Sequence, residues 1–399
     1  MSAVSVPRVI LKSRRERPFL GRHPWLFSGA IDRLEGDVRD GDEVAVCTHD
    51  GQFIAWGLFN SKSQIRVRLY SWEFEQRLAP EFWRDRLETA IRFRRGILKL
   101  DDPEGACRLA FSESDGLSGL VVDRYRDWLV VQLTSLAIAR QQELIVKLLV
   151  ELCQPRGIYL RTERGIGEAE GLMLRDGPLW GAVPDELVEI VEHDLVFEAE
   201  LRTGQKTGFY LDQRENRRAV RPLAAGRRVL DMFCYTGGFA LSLARGGATE
   251  VLGIDVSNAA IEAARRNAER NGISNATFDT GDAFESLKRL ATSGERFGMV
   301  VLDPPRFARS AGGVRQALRG YVRLNQMAVQ VLEPDGILVT CSCSGLVSRE
   351  DFVRVLAAVA EQTGRNIQIL EQRGQAPDHP VSASCPETGY LKCFMCRVI

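Results

Sequence analysis

Two thiols stand two residues apart in Val339-Thr340-Cys341-Ser342-Cys343-Ser344, at the end of the apolar run Gly336-Ile337-Leu338-Val339. Upstream, Val300-Val301-Leu302 runs into Asp303-Pro304-Pro305-Arg306-Phe307. Both segments read as buried parallel strands that emerge into loops, and the open end of such strands is where α/β sheets bind ligands. A thiol at one strand end and an acid followed by two prolines at another suit the modification of a base. A thiolate that adds to carbon 6 of a pyrimidine makes carbon 5 enamine-like, and the acid can hold or protonate ring nitrogen 3 meanwhile. Such a step requires the base to leave its stack. Cys343 lies past the strand end and is the candidate nucleophile. Cys341 shares its face on an extended strand and reads as a small core residue.

A second constellation lies earlier in the chain. A strand ends in Leu230-Asp231-Met232-Phe233-Cys234-Tyr235-Thr236-Gly237-Gly238-Phe239, where glycines let the backbone approach a ligand and start a helix beneath it. The spacing is not the G-x-G-x-x-G of dinucleotide sites. In Gly253-Ile254-Asp255 the acid can accept both ribose hydroxyls of an adenosine-type ligand. In Gly281-Asp282-Ala283-Phe284, Asp282 can accept from an adenine amino group and Phe284 can pack on its ring. Each acid alone could instead cap the helix that follows it. Together with Asp303-Pro304-Pro305, the three acids at successive strand ends resemble class I S-adenosylmethionine-dependent methyltransferases. That resemblance implies S-adenosylmethionine as cofactor, with Asp231, Phe233, Tyr235, Thr236, Gly237, Asp255, Asp282 and Phe284 around it. Amino-group methyltransferases also use an acid-Pro-Pro loop, usually followed by an aromatic residue. Here position 306 is Arg, which argues against that use.

These groups need a sheet to hold them. Residues 191–399 alternate strand and helix at the spacing of a parallel α/β sheet. Strands are expected at Arg228–Phe233, Val251–Asp255, Ala276–Asp279, Met299–Asp303, Ile337–Cys341, Ile367–Glu371 and Leu391–Val398, the last one antiparallel. Residues 76–190 open with an amphipathic helix near Phe82 to Leu98. Strands Gly119–Asp123 and Trp128–Leu133, a helix Gln141–Cys153 and a strand Gly157–Arg161 follow, a small α+β pattern. Residues 1–75 read as β-rich, with a hairpin turn at Asp50-Gly51 and a strictly alternating Gln64–Tyr70 that puts its arginines on one face.

The chain has 53 basic and 53 acidic residues, yet residues 1–100 hold 18 Lys or Arg against 13 Asp or Glu, a net +5. A basic front portion suits a polyanionic partner. Nine scattered cysteines, without a secretory leader at Met1–Pro7, indicate a reduced, cytoplasmic setting rather than a disulfide scaffold. No apolar run approaches membrane-spanning length. Cys393-Phe394-Met395-Cys396 has no second pair at zinc-binding spacing, so no metal is expected. His379, in Asp378-His379-Pro380, reads as a loop-structuring residue.

Nearly the whole chain resembles the bacterial 23S ribosomal RNA cytosine-5 methyltransferases that carry an N-terminal PUA domain. The matching segments are His23-Pro24-Trp25-Leu26-Phe27-Ser28-Gly29, Ser114-Asp115-Gly116-Leu117-Ser118-Gly119-Leu120 with Asp123-Arg124-Tyr125, Lys206–Arg214, Tyr235–Phe239, Asp303-Pro304-Pro305 and Ser342-Cys343-Ser344-Gly345. The resemblance implies an α/β fold class. A Rossmann-like methyltransferase domain with a mostly parallel seven-stranded sheet (191–399) would follow a small β-barrel PUA domain (1–75) and an α+β central domain (76–190). It implies a single catalytic cysteine, Cys343, with Asp303 beside it, and Gln213 or its neighbours near the methionine end of the cofactor. The implied partner is 23S ribosomal RNA or a large-subunit precursor, gripped through phosphates by Arg14, Arg15 and Arg22. The chain would be a monomer or homodimer. Two other readings stand beside this one: an amino-group RNA methyltransferase using Asp303-Pro304-Pro305, and an RNA-binding assembly factor whose catalysis has lapsed.

Overall fold

The computed structural model describes residues 6–163, 165–182, 187–308 and 310–399, so the leader reading at residues 1–5 lies outside the described residues. The chain divides into two compact units. The first comprises Met1–Ile190, Ala199–Leu211 and Pro377–Thr388; the second comprises Val191–Glu198, Asp212–Ala376 and Gly389–Ile399.

Two sheets build the first unit. One has six strands in the order Trp25–Phe27, Ile65–Ser71, Phe53–Phe59, Glu43–Cys47, Arg8–Leu11, Ile31–Glu35. Alternating residues such as Val9, Leu11, Val44, Val46, Val67 and Leu69 form its core. The expected turn at Asp50-Gly51 joins an antiparallel hairpin, with Gly51 at φ 86° where a side chain would be strained. The arginines of Gln64–Tyr70 do not form the basic outer face that alternation suggested. Arg68 is buried and bonds Glu113 and Glu170 at 3.3 and 3.0 Å, and Arg66 donates to the Asn60 carbonyl. Periodicity says that residues share a face, but only the partners that fold onto it decide whether the face is wet.

The other sheet has the order Gly177–Gly181, Gly157–Leu160, Trp128–Leu133, Leu120–Tyr125, Ala106–Phe111, with helices Pro80–Arg92 and Gln142–Cys153 packed on it. The two edge strands escaped the sequence reading. Gly177–Gly181 contains a proline and two glycines and reads as loop. Ala106–Phe111 carries Arg108 in its middle, and that charge is neutralised only by tertiary structure: Arg108 makes a bidentate pair with buried Asp123 at 2.7 and 2.8 Å. Asp123 also accepts from Thr207 Oγ1 at 2.6 Å, and the Arg108 amide donates to Asp378 Oδ2 at 3.0 Å. These bonds draw Ala199–Leu211 and Pro377–Thr388 into the first unit, although both lie within 191–399. His379 is buried with Nδ1 2.9 Å from Asp378 Oδ1.

The second unit is a seven-stranded sheet. Its strands are β1 (Arg228–Met232), β2 (Glu250–Asp255), β3 (Ala276–Thr280), β4 (Phe297–Leu302), β5 (Leu332–Ser342), β6 (Ile367–Arg373) and β7 (Lys392–Val398), in the spatial order 3-2-1-4-5-7-6. All run parallel except β7, which is antiparallel between β5 and β6. The connecting helices are α1 (Gly238–Arg245), α2 (Asn258–Arg270), α3 (Ala283–Thr292), α4 (Val314–Val331) and α5 (Arg349–Thr363). Strands buried on both faces need continuous apolar runs, which is why Val229-Leu230 and Met299-Val300-Val301-Leu302 were legible. The order reverses between β1 and β4. At that switch point the loops diverge and leave a crevice beyond the strand ends, and Asp231 and Asp303 lie there.

A buried ion pair braces this crevice from below. Arg217, on the short helix Arg214–Val220, bonds both oxygens of Glu192 at 2.6 and 2.5 Å, and both residues are buried. Its side chain packs on Gly238, where an added Cβ would meet Arg217 Cδ at 3.2 Å. Removing one partner of such a pair leaves a buried charge without its counterion. Glu192→Ala is therefore expected to destabilise the second unit by about 3–5 kcal/mol, read as a lower urea midpoint at unchanged slope. A change below 1 kcal/mol would show the pair to be dispensable.

Candidate active site

The loop after β1 is held in an uncommon shape. Phe233, Tyr235 and Gly237 have φ of 64°, 49° and 86°. Left-handed backbone costs a non-glycine residue roughly 1–2 kcal/mol, and such strain persists only where neighbours over-determine it. Here Asp255 Oδ2 accepts the Tyr235 amide at 3.0 Å, Asn267 Nδ2 donates to the Thr236 carbonyl at 3.0 Å, and the Cys234 amide donates to Ile254 O at 3.1 Å.

Asp231 is 1% exposed, and its Oδ2 accepts the Ala240 amide in the first turn of α1 at 2.9 Å. Its Oδ1 is buried with no hydrogen-bond partner among the described residues, and so is Thr236 Oγ1. Burial, followed by the charges of Asp303 and Asp255, holds the Asp231 carboxyl well above the ordinary carboxylate range. An orphaned acceptor in a negative pocket fits a ligand that brings donors and positive charge. Asp255 Oδ1 accepts the Ser257 amide at 2.9 Å. Asp282 caps α3, taking the Phe284 and Glu285 amides on Oδ1 at 2.9 and 3.1 Å, so the capping role weighed for it is real and leaves its second oxygen to be considered. Phe284 is half-buried under the Arg323 guanidinium at 5.1 Å. Gln213 is 2% exposed, accepts from Asn216 Nδ2 at 2.6 Å and bonds towards Cys341. Burial pushes the Cys234 thiol well up, which fits a packing residue.

The two cysteines of β5 part company. Cys341 is fully buried opposite Cys393 of β7. The Cys393 sulfur and burial push its thiol well above the ordinary range. Cys343, one residue past β5, is half-buried with Sγ 3.8 Å from the Pro304 carbonyl, so it lies against the Asp303-Pro304-Pro305 loop. Asp303 is half-buried at the end of β4.

The groups that fix this junction were missed from sequence. Tyr321 of α4 is fully buried; Ser342 Oγ donates to its hydroxyl at 3.0 Å, and Ser344 Oγ lies 3.2 Å from it. The Ala308 amide donates to Ser344 Oγ at 3.3 Å, tying the two loops together, and the Phe307 ring lies on Tyr321 at 4.7 Å. Lys392, the first residue of β7, is 3% exposed and donates to the carbonyls of Ser344 and Tyr390 at 2.6 and 2.9 Å. Nothing in the spacing of Tyr321 or Lys392 signals a role; only the fold brings them to Cys343.

Arg14, Arg15 and Arg22 are exposed in the first unit, flanking the short helix Arg17–Leu20, with Arg14 and Arg22 at φ 65° and 63°. Among the described residues, His23, Cys385 and Glu387 of that unit cluster at metal-ligand spacing. His23 Nδ1 accepts the Trp25 amide at 3.2 Å, which puts the ring proton on Nε2, facing Glu387 at 3.5 Å. That tautomer offers no Nε2 lone pair to a cation.

Two family models match this chain: S-adenosylmethionine-dependent methyltransferase over residues 178–391, and PUA-like domain over residues 9–72. It is 42% identical to the ribosomal RNA large subunit methyltransferase I of Erwinia tasmaniensis over 98% of its length and 99% of that protein's. Identity to the protein of that name from Aeromonas hydrophila is also 42%, over 98% of each chain. In fold it matches a solved chain described as a methyltransferase complexed with SAH, with TM-score 0.85 and 20% identity over 98% of this chain and 99% of that one. A SAM-dependent methyltransferase from Streptococcus mutans superposes with TM-score 0.84 at 19% identity, over 98% of this chain and 99% of that one.

Proposed function

Since the chain belongs to the S-adenosylmethionine-dependent methyltransferases of large-subunit ribosomal RNA, type I, we propose that it methylates carbon 5 of a cytosine in 23S ribosomal RNA through a covalent bond to Cys343. The observation that carries this reading is the placement of an accessible thiol, Cys343, against the loop that begins with Asp303.

S-adenosylmethionine supplies a methyl group made electrophilic by its sulfonium. Asp231 with its orphaned oxygen, Thr236 and the strained backbone from Phe233 to Gly237 suit the charged methionine portion, beside Gln213. Asp255 suits the ribose hydroxyls, and Asp282 and Phe284 the adenine. On the substrate side, the Cys343 thiolate forms a bond to carbon 6, and Asp303 supports ring nitrogen 3 as the ring's electrons shift towards carbon 5. Carbon 5 then gains the methyl group and loses its proton, and the returning electron pair breaks the carbon–sulfur bond. Residues 1–75 would grip RNA phosphates through Arg14, Arg15 and Arg22, positioning without reading sequence. Among the described residues no helix is long and apolar enough to cross a membrane, and a cytoplasmic enzyme fits.

Large-subunit RNA carrying tritium at carbon 5 of cytosine tests the chemistry. Carbon-5 methylation must release one tritium to water for each methyl group gained. Methyl transfer with the tritium retained would sink this reading and promote the amino-group alternative through Asp303-Pro304-Pro305. RNA binding without methyl transfer would point to a lapsed enzyme.

A further inference from the structure

Lys392 occupies a place that packing alone does not explain. Its backbone stands directly opposite Ser342 in the β5–β7 pairing, and its Nζ reaches the carbonyl of Ser344 at 2.6 Å. The side chain thus spans the one residue between those two, Cys343. Its second bond goes to the Tyr390 carbonyl at 2.9 Å. An ammonium has three N–H bonds, and these carbonyls take two. Fully burying an alkylammonium is costly unless something nearby gains from its charge. No carboxylate bonds to it among the described residues.

We propose that Lys392 is a positioning residue for Cys343: its ammonium clamps the Ser344 carbonyl and holds the neighbouring sulfur as a thiolate. This inference rests on the reading of Cys343 as the nucleophile. The charges acting on Lys392 agree. Burial brings its pKa down to about 8, Cys343 opposes that fall, and the cations Arg349 and Arg306 add to it. Lys392 on β7 is therefore a buried cation beside the Cys343 thiol, and Arg349 at the start of α5 and Arg306 in the loop after β4 lie close enough to act on that lysine. Such a setting lowers the cost of a thiolate. The balance of the ionisation is simple. The S–H bond breaks and the proton leaves to solvent, while below about pH 8 Lys392 keeps its three N–H bonds.

The test is the pH dependence of Cys343 alkylation by iodoacetamide in the full-length protein without RNA, read by mass spectrometry on the peptide that contains Cys343. The wild-type midpoint is expected below the roughly 8.5 of a free thiol. Lys392→Met should raise it by at least about one unit. Lys392→Gln, whose amide can still donate to both carbonyls, should raise it likewise, whereas Lys392→Arg should keep it low. A purely structural lysine would alter thermal stability and leave the midpoint alone. A midpoint unmoved in folded Lys392→Met or Lys392→Gln overturns the proposal, and so does a wild-type midpoint at or above 8.5, which needs no variant to fold. The alkylation reads the thiol and tritium release reads the reaction. A low, lysine-dependent midpoint without tritium release would therefore condemn the cytosine-5 chemistry and spare this inference.

Discussion

Cys343→Ala is expected to lose methyl transfer by a factor on the order of 10⁴ or more, as removal of a covalent nucleophile does in other enzymes. The cofactor should bind as before, because Cys343 projects beyond β5 and not into the β1 loop. With large-subunit RNA carrying 5-fluorocytosine, the wild type should form an adduct that survives a denaturing gel, since fluorine at carbon 5 cannot leave as a proton does. Cys343→Ala should form none. Cys341→Ala is the control: that thiol is fully buried, faces Cys393 and is held protonated by burial and its sulfur neighbour. It should retain the adduct and most of the activity, with a stability cost of about 1 kcal/mol for a small buried side chain. An adduct that persists in Cys343→Ala and disappears in Cys341→Ala would reverse the assignment.

Asp303→Asn should lower kcat by roughly 10²- to 10⁴-fold, the range of a lost general acid, with little change in the affinity for S-adenosylmethionine. The amide can still accept or donate one hydrogen bond but cannot hand over a proton to ring nitrogen 3. In its ionised form, before it takes up the proton that it passes to the base, Asp303 also weighs on its neighbours: its charge helps to hold the Asp231 and Cys341 groups protonated. Removing that charge should let Asp231 ionise more readily, which favours a cationic ligand, so a loss of cofactor affinity would not be the signature of this variant. Single-turnover methyl transfer separates the two effects. A rate within about threefold of wild type would exclude Asp303 from the chemistry.

The seven strands of the second unit were legible within a residue or two for all but β5, which begins five residues before the expected Ile337. Apolar runs ended by an acid or a thiol have few other meanings in a sheet buried on both faces. The edge strands Ala106–Phe111 and Gly177–Gly181 were not, because an internal arginine and paired glycines obscure them and only Asp123 and the neighbouring strand make them strands. The position of Arg68 was misjudged for the same cause: alternation fixes a face, while Glu113 and Glu170, far away in sequence, decide that it is buried.

The site divides along the same line. Sequence by itself determined which candidate groups stand at or just past strand ends, Asp231, Asp255, Asp282, Asp303 and Cys343, because a strand end followed by a helix or tight loop is a local pattern. Tertiary structure alone decided the rest. It sank Cys341 beneath Cys393 and left Cys343 open, a difference of two residues that depends on where β5 stops. It brought Tyr321 from α4 to fasten Ser342 and Ser344, and Lys392 from β7 to span Cys343. Those contacts join residues 21 to 48 positions apart in the chain, and no local spacing encodes them. The Lys392 contact follows from β7 inserting antiparallel beside β5, and the Tyr321 contacts from α4 lying against the end of β5.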